Sequence, residues 1–257
     1  MRKPTALIIA ATSSDGCAGA LLDARVISHF NVVPACAITA ITAQNTSGVQ
    51  GVWPVPAKSV RQQIDSAFSD LDVCAVKIGM LYSSEIAKEV SKALAKWGAL
   101  NVVFDPVMSA QSDRKKLMQA KAANAFRSVC AVSDIVTPNL DEAKALSGIK
   151  ITDRESACKA AWKIMETGAQ SVMLKSYPIE KGFLADLVFT DDGFALFRKE
   201  KMPTSTHGGG CLLSSAIAAR MAAGDNLIDA VSAAEAYTEK AISESVQAGC
   251  GIKCVKP

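Results

Sequence analysis

Short apolar runs alternate with amphipathic helical patterns along the whole chain, and this alternation most restricts what it can fold into. Apolar runs over 6–11, 32–42, 73–78, 101–105, 135–137 and 171–175 predict strands. Between and after them, the periodicity predicts helices over 18–30, 57–70, 84–96, 114–128, 140–146 and 154–167. Repeated β–α units favour an α/β fold with a doubly wound, mostly parallel central sheet flanked by helices. Later, apolar stretches at 184–190 and 194–199 flank Asp191-Asp192-Gly193, which predicts a hairpin. Two helices, over 210–223 and 227–246, close the chain around Gly224-Asp225-Asn226. With no internal repeat or low-complexity linker, residues 1–257 are expected to form one domain.

Composition narrows the function. The chain has 257 residues, 49% of them hydrophobic, enough for a sizeable core. Lys and Arg number 28 against 25 Asp and Glu, and no basic run carries interleaved aromatics, so nucleic acid is not the expected partner. No apolar run reaches the length of a membrane span. Residues 7–11 follow Met1-Arg2-Lys3-Pro4 but are too short for a signal peptide, which leaves the cytoplasm as the default. The eight cysteines show no CxxC pairing. Cys250 and Cys254 could pair or bind a metal, but a reducing compartment favours two free thiols.

Ligands of open α/β sheets sit beyond the carboxyl ends of the strands. Polar, glycine and proline residues gather there at 13–19, 44–46, 77–82, 105–108, 138–142 and 175–181. One further stretch, Thr206-His207-Gly208-Gly209-Gly210-Cys211, runs into an alanine-rich helical segment. Glycines let several amides converge, and a helix start adds free donors and the positive end of the dipole. The product is an anion site suited to phosphate. Cys211 stands where a helix N-terminus would lower a thiol pKa. The same residues could instead be a flexible cap above a buried cysteine.

These blocks, in order, resemble the hydroxymethylpyrimidine/phosphomethylpyrimidine kinases of thiamine synthesis. The likeness is carried by residues 7–23, the run 38–46 through Gln44-Asn45-Thr46, Lys77-Ile78-Gly79-Met80, Asp105-Pro106-Val107-Met108, Thr137-Pro138-Asn139-Leu140-Asp141-Glu142 and the glycine stretch up to 219. It covers nearly the whole chain and implies a ribokinase-like three-layer sandwich, in cytoplasmic homodimers. It also implies ATP and Mg²⁺ as cofactors, and 4-amino-5-hydroxymethyl-2-methylpyrimidine and its monophosphate as substrates.

The roles that follow are those the resemblance implies. Gln44 reads the aminopyrimidine edge, to which its amide is complementary. Met80 lies against the ring, although on sequence alone a buried methionine is more often plain core. Val107 adds an apolar wall, and Ala11 and Ala18 belong to the loop around the substrate. Asp23 lies near the hydroxymethyl group, or is an ordinary solvated helix acid. Asn139 serves the phosphates and Glu142 holds Mg²⁺ through water, although Asn-x-x-Glu is equally a capping box. Asp105 supports the metal and nucleotide. Lys175 neutralises phosphate charge, Gly208, Gly209 and Gly210 hold the migrating phosphoryl, and Cys211 is the base for the attacking hydroxyl.

Several positions depart from the family pattern. Ala11 and Cys17 stand where glycines are usual, Ser13 replaces an acid, and Gly209 replaces a threonine. Ser176-Tyr177-Pro178 replaces Gly-Gly-His. These changes bear on the substrate, so two alternatives stand beside the first: a pyridoxal kinase of the same branch, and a non-catalytic pyrimidine-binding protein.

Overall fold

The computed structural model describes residues 3–109, 122–202 and 206–257. Its strands are β1 (Thr5–Ala10), β2 (Val33–Ile38), β3 (Ala40–Asn45), β4 (Gly48–Pro54), β5 (Val73–Ile78), β6 (Val102–Phe104), β7 (Ile135–Val136), β8 (Ser171–Glu180), β9 (Phe183–Thr190), β10 (Gly193–Glu200), β11 (Thr206–His207) and β12 (Lys253–Cys254). The helices are α1 (Gly19–His29), α2 (Ala57–Asp70), α3 (Ser84–Trp97), α4 (Ala122–Cys130), α5 (Leu140–Ser147), α6 (Arg154–Met165), α7 (Gly209–Ala222) and α8 (Leu227–Ser243).

Eight strands form the main sheet in the order β10-β9-β8-β7-β6-β5-β1-β2. From β2 to β8 the pairing is parallel, and β9 and β10 extend the edge as antiparallel hairpins. All six residues of β1 are buried, as expected for a strand covered on both faces. The strand's alternation sorts its side chains. Leu7 and Ile9 join a core with Val60 and Ile64 of α2, Val90 of α3, Phe126 of α4 and Ile164 of α6. Ala6 and Ile8 face the opposite way, toward Ala20 and Ile27 of α1 and Ala219 of α7. A third cluster packs α7 and α8 on Val103, Ile135 and Met173. The result is three layers: α2–α6, the sheet, then α1, α7 and α8. The doubly wound, mostly parallel α/β architecture expected from the sequence is present.

Some boundaries differ. The run over 32–42 is not one strand but two. Thr39 is the break: its amide bonds Ala10 O at 3.1 Å and its hydroxyl donates to Met80 O at 2.6 Å. After it β3 leaves the sheet and pairs with β4 in a separate ribbon. Strand β8 continues beyond Lys175 through an irregularity at Ser176, whose φ is 57°. The helix expected over 114–128 is described only from Ala122, and residues 114–121 lie outside the described residues. Helix α8 stops at Ser243, because Val246 pairs with Cys254 on a returning tail.

That tail corrects the cysteine expectation. Cys250 is a free, exposed thiol, whereas Cys254 is bonded to Cys17 with 5.5 Å between Cα atoms. Sequence proximity misleads here because the tail docks elsewhere. Ile252 N bonds Thr46 O at 3.0 Å, Val255 N bonds His207 O at 3.1 Å, and β12 lies parallel to β11. These contacts carry Cys254 to the loop before α1.

Candidate active site

A cavity of about 700 Å³ opens at the carboxyl ends of the parallel strands. Ala11, Ala18, Gln44, Met80, Val107, Asp105, Asn139, Glu142, Lys175, Gly208, Gly209, Gly210 and Cys211 all line it. Residues spread over two hundred positions therefore meet at one place.

The anion loop lies at the centre. Gly208 has φ 94°, and a Cβ there would fall 2.2 Å from Cys17 O, so the position requires glycine. Helix α7 starts at the next residue and has no side-chain cap. Elsewhere Ser83, Asn139, Asp153 and Asn226 cap α3, α5, α6 and α8 with their own side chains. Helix α1, starting at the cavity with Ala18 before it, is uncapped as well. In α1 the Ala20 amide is taken by Ala11 O at 2.9 Å and the Gly19 amide by the Cys211 thiol, so the start of α7 is what offers this space free amides, which suits an anionic ligand.

Cys211 is in the first turn of α7, but its thiol is not activated as the sequence suggested. Burial pushes it up to about 11, with Asp23 and Asp105 adding to the rise and Lys77 and the Gly19 amide opposing it. Desolvation outweighs the helix dipole, so the thiol is protonated near neutral pH.

Behind the cavity wall, Lys77 and Asp23 form a fully buried ion pair at 2.6 Å. Ser215 Oγ donates to the other carboxylate oxygen at 2.8 Å. Burial would pull Lys77 down, but Asp23, Cys211 and Asp105 hold it above the ordinary lysine value. Asp23 is neither a solvated helix acid nor part of the cavity lining. It is the counter-ion of a lysine that does line it.

On the opposite side Lys175 Nζ meets Asp105 Oδ1 at 2.6 Å. Burial works against the Lys175 charge, but Asp105 and Glu142 raise its pKa. Asn139 and Glu142 form a capping box: each backbone amide bonds the other's side chain at 2.9 Å. The capping pattern is therefore real, yet Glu142 also faces the cavity. Burial lifts its carboxyl to about 7, with Asp105 adding to the rise and Lys175 opposing it. A carboxyl so placed gains from a nearby cation. Among the described residues no group of three His, Cys, Asp or Glu side chains could cage a metal. One or two carboxylates beside a phosphate site suit a cation that keeps its waters, as magnesium does.

The other end is more apolar. Met80 packs with Ala11, Ala40 and Val49, and Val107 borders them. The methyl of Ala11 therefore sits inside a small apolar group. Gln44 projects from β3, with its Nε2 2.6 Å from His207 Nε2.

Sequence reasoning passed over several cavity residues. Lys77 breaks an otherwise apolar strand, a signal that it needs a buried partner. Asp186 does the same in β9 and is fully buried. It accepts from Ser176 N at 2.6 Å and pairs with Lys199 at 2.6 Å. Lys199 also reaches Glu235 at 3.4 Å. Burial and the Asp186 charge push the Glu235 carboxyl up to about 9.

A family model for phosphomethylpyrimidine kinase matches residues 13–256. A hydroxymethylpyrimidine/phosphomethylpyrimidine kinase of Rhizobium meliloti is 42% identical over 240 residues, spanning 93% of this chain and 90% of that protein. The crystal structure of a phosphomethylpyrimidine kinase from Clostridium difficile has TM-score 0.83 at 32% identity, over 93% of this chain and 100% of that one. A Staphylococcus aureus pyridoxal kinase in complex with pyridoxal has TM-score 0.90 at 27% identity, over 100% of this chain and 93% of that one. By the extent of these matches, the chain belongs to the phosphomethylpyrimidine kinase family.

Proposed function

We propose that this protein transfers the terminal phosphoryl group of ATP to the hydroxymethyl of 4-amino-5-hydroxymethyl-2-methylpyrimidine, and then to the resulting monophosphate. One observation carries this proposal. The uncapped α7 N-terminus and Cys211 lie in the same cavity as Gln44 and Met80.

Gln44 supplies an acceptor and a donor to the aminopyrimidine edge while Met80 and Val107 cover the ring. Amides of Gly208 to Cys211 receive the oxygens of the migrating group as charge spreads over them. Lys175 adds positive charge on that side. Magnesium, when bound, neutralises phosphate charge, and Glu142 with Asp105 would hold it through its waters. Cys211 takes the hydroxyl proton. Burial sets the thiol at about 11, so the thiol first releases its own proton to solvent; the thiolate, a minor form near neutral pH that Lys77 favours, then takes the hydroxyl proton as the O–P bond forms. In the second step the acceptor is already a phosphate oxygen, so Cys211 matters less.

A second substrate, pyridoxal, is favoured by the likeness in shape to the Staphylococcus aureus enzyme and by Ala11. It also carries a hydroxymethyl on an aromatic six-membered ring but lacks the amino edge. ADP release measured with each of the three acceptors decides. Wild type should prefer the pyrimidine, and Gln44→Glu should lower its kcat/KM about tenfold to hundredfold. A wild type that prefers pyridoxal, with pyrimidine turnover spared by Gln44→Glu, reassigns the enzyme. No ADP release with any acceptor would leave a pyrimidine-binding protein.

We further propose a single kinase domain that acts as a homodimer in the cytoplasm. The β3–β4 ribbon supports the dimer, since its cross-strand neighbours Ile41 and Trp53 are more than half exposed. Six of the eight cysteines are free, which fits a reducing compartment, and the Cys17–Cys254 bond is the exception. Among the described residues, no helix is long and apolar enough to cross a membrane.

A further inference from the structure

The glutamine that would read the substrate is held from two sides. Its backbone is clamped by Ser14, whose Oγ donates to Gln44 O at 2.7 Å and accepts from Gln44 N at 2.8 Å. What remains free is the rotation of the side-chain amide, that is, whether oxygen or nitrogen faces the cavity. Among the described residues one side chain hydrogen-bonds the amide: His207, at 2.6 Å between nitrogens.

A contact between two nitrogens needs one donor and one acceptor. The amide nitrogen has only hydrogens to give, so in this contact His207 Nε2 accepts and the ring proton sits on Nδ1, which has no hydrogen-bond partner among the described residues. In that state Gln44 keeps its carbonyl oxygen and its second N–H for the cavity. With a proton on Nε2 the amide would turn its oxygen to the ring and offer the cavity only donors. The state of His207 and the hydrogen-bonding face of Gln44 are therefore locked together.

The ring is enclosed, and among the described residues Gln44 is the one side chain that hydrogen-bonds it. His207 is 3% exposed, and Val255 N bonds its carbonyl. Asp15 Oδ2 lies 3.6 Å from Nε2. Its Oδ1 is taken by Ser13 Oγ at 2.5 Å and Cys17 N at 3.0 Å, which fixes the carboxylate. Burial disfavours the charged imidazole, against the pull of Asp15.

We propose that His207 is a positioning residue that sets substrate specificity, by fixing the order in which the Gln44 acceptor and donor meet an aminopyrimidine edge. This rests on the aminopyrimidine assignment above. It predicts discrimination by the amide, not mere binding.

The test compares hydroxymethylpyrimidine with its analogue lacking the 4-amino group. Wild type should prefer the amino compound by about tenfold to hundredfold in kcat/KM. His207→Leu should cut that preference to about threefold or less, through KM for the pyrimidine, while KM for ATP holds. An unchanged preference in the folded variant overturns the proposal. A wild type with no preference overturns the aminopyrimidine assignment itself, and the wild-type arm alone shows that.

Should the leucine variant not fold, nitrogen-15 spectra of wild type decide. The chain has only two histidines, so the His207 ring signals can be assigned. A neutral ring protonated at Nδ1, with an Nε2 signal that moves when the pyrimidine is added, supports the proposal. Protonation at Nε2, or an Nε2 signal indifferent to the pyrimidine, overturns it.

Discussion

Replacing Asp23 with asparagine should cost this protein a large part of its stability, by an amount the structure bounds. The substitution keeps the size of the side chain and its contact with Ser215. What it removes is the charge opposite Lys77, in a pair with no exposure on either side. Breaking a buried pair by removing one partner typically costs about 3–5 kcal/mol. There is also a ceiling, because Lys77 can give up its proton instead of staying charged. Neutralising a lysine of ordinary pKa at pH 7 costs about 4.6 kcal/mol, and at pH 9 only about 1.9 kcal/mol. The sign follows. In wild type Lys77 is raised, so its contribution is fully present below the unfolded lysine value and does not change between pH 7 and 9. In the variant its folded pKa is depressed, so the deficit shrinks as pH rises toward 10. Urea unfolding followed by tryptophan fluorescence at pH 7 and pH 9 measures both. We expect a loss of about 3–4.6 kcal/mol at pH 7 that falls below about 2 kcal/mol at pH 9. The double variant Asp23→Leu, Lys77→Met should recover most of it. A loss under about 1 kcal/mol at pH 7, or one that does not narrow with pH, refutes this account of the pair.

Cys211→Ala should slow phosphorylation of the hydroxymethyl acceptor by about 10²–10⁴-fold while sparing the phosphate acceptor, as read from ADP release with each; equal turnover in the folded variant removes Cys211 from proton transfer. Glu142→Gln should raise the Mg²⁺ concentration for half-maximal rate about tenfold or more and leave the melting temperature almost unchanged, since glutamine still closes the capping box. Wild-type magnesium dependence in that variant would leave Glu142 a cap alone. Glu235 holds its proton up to about 9, above the ordinary carboxyl value, so the native state binds a proton the unfolded chain has released. Stability is therefore lost as pH rises from about 4.5 toward 9. Glu235→Gln should stabilise by on the order of 1–3 kcal/mol at pH 8 and by little at pH 5, which thermal melts at the two pH values will show.

Periodicity made the layered fold legible, because strands buried on both faces and helices with one apolar face leave distinct traces. Helix α2 has the expected limits. What stayed hidden depends on contacts that no local pattern records. The run over 32–42 is uninterrupted in sequence, and only Thr39 bonding Met80 O splits it. Most of the candidate site was legible as loops after strands, since topology alone brings those together. Its electrostatics were not. The thiol of Cys211 looked activated by its helix, but burial reverses that. Asp23 is expected beside the substrate hydroxymethyl or in solvent, and no local pattern shows that its partner is Lys77, 54 positions away. Cys254 found Cys17 and not its neighbour Cys250.

The bond between Cys17 and Cys254 also decides how the molecule responds to force. It spans 237 positions, so in the oxidised chain everything between the two cysteines belongs to a covalent ring. In the chain-entropy account such a closure restricts the unfolded state by about 5 kcal/mol. Held by its ends and stretched, the ring shields everything between the two cysteines. Only chain outside the ring can pay out, and before Cys17 that includes β1, which lies between β5 and β2. Tension applied at the termini must therefore shear β1 from its parallel neighbours, and then stop. A reductant turns the same molecule into one that unravels along its full length.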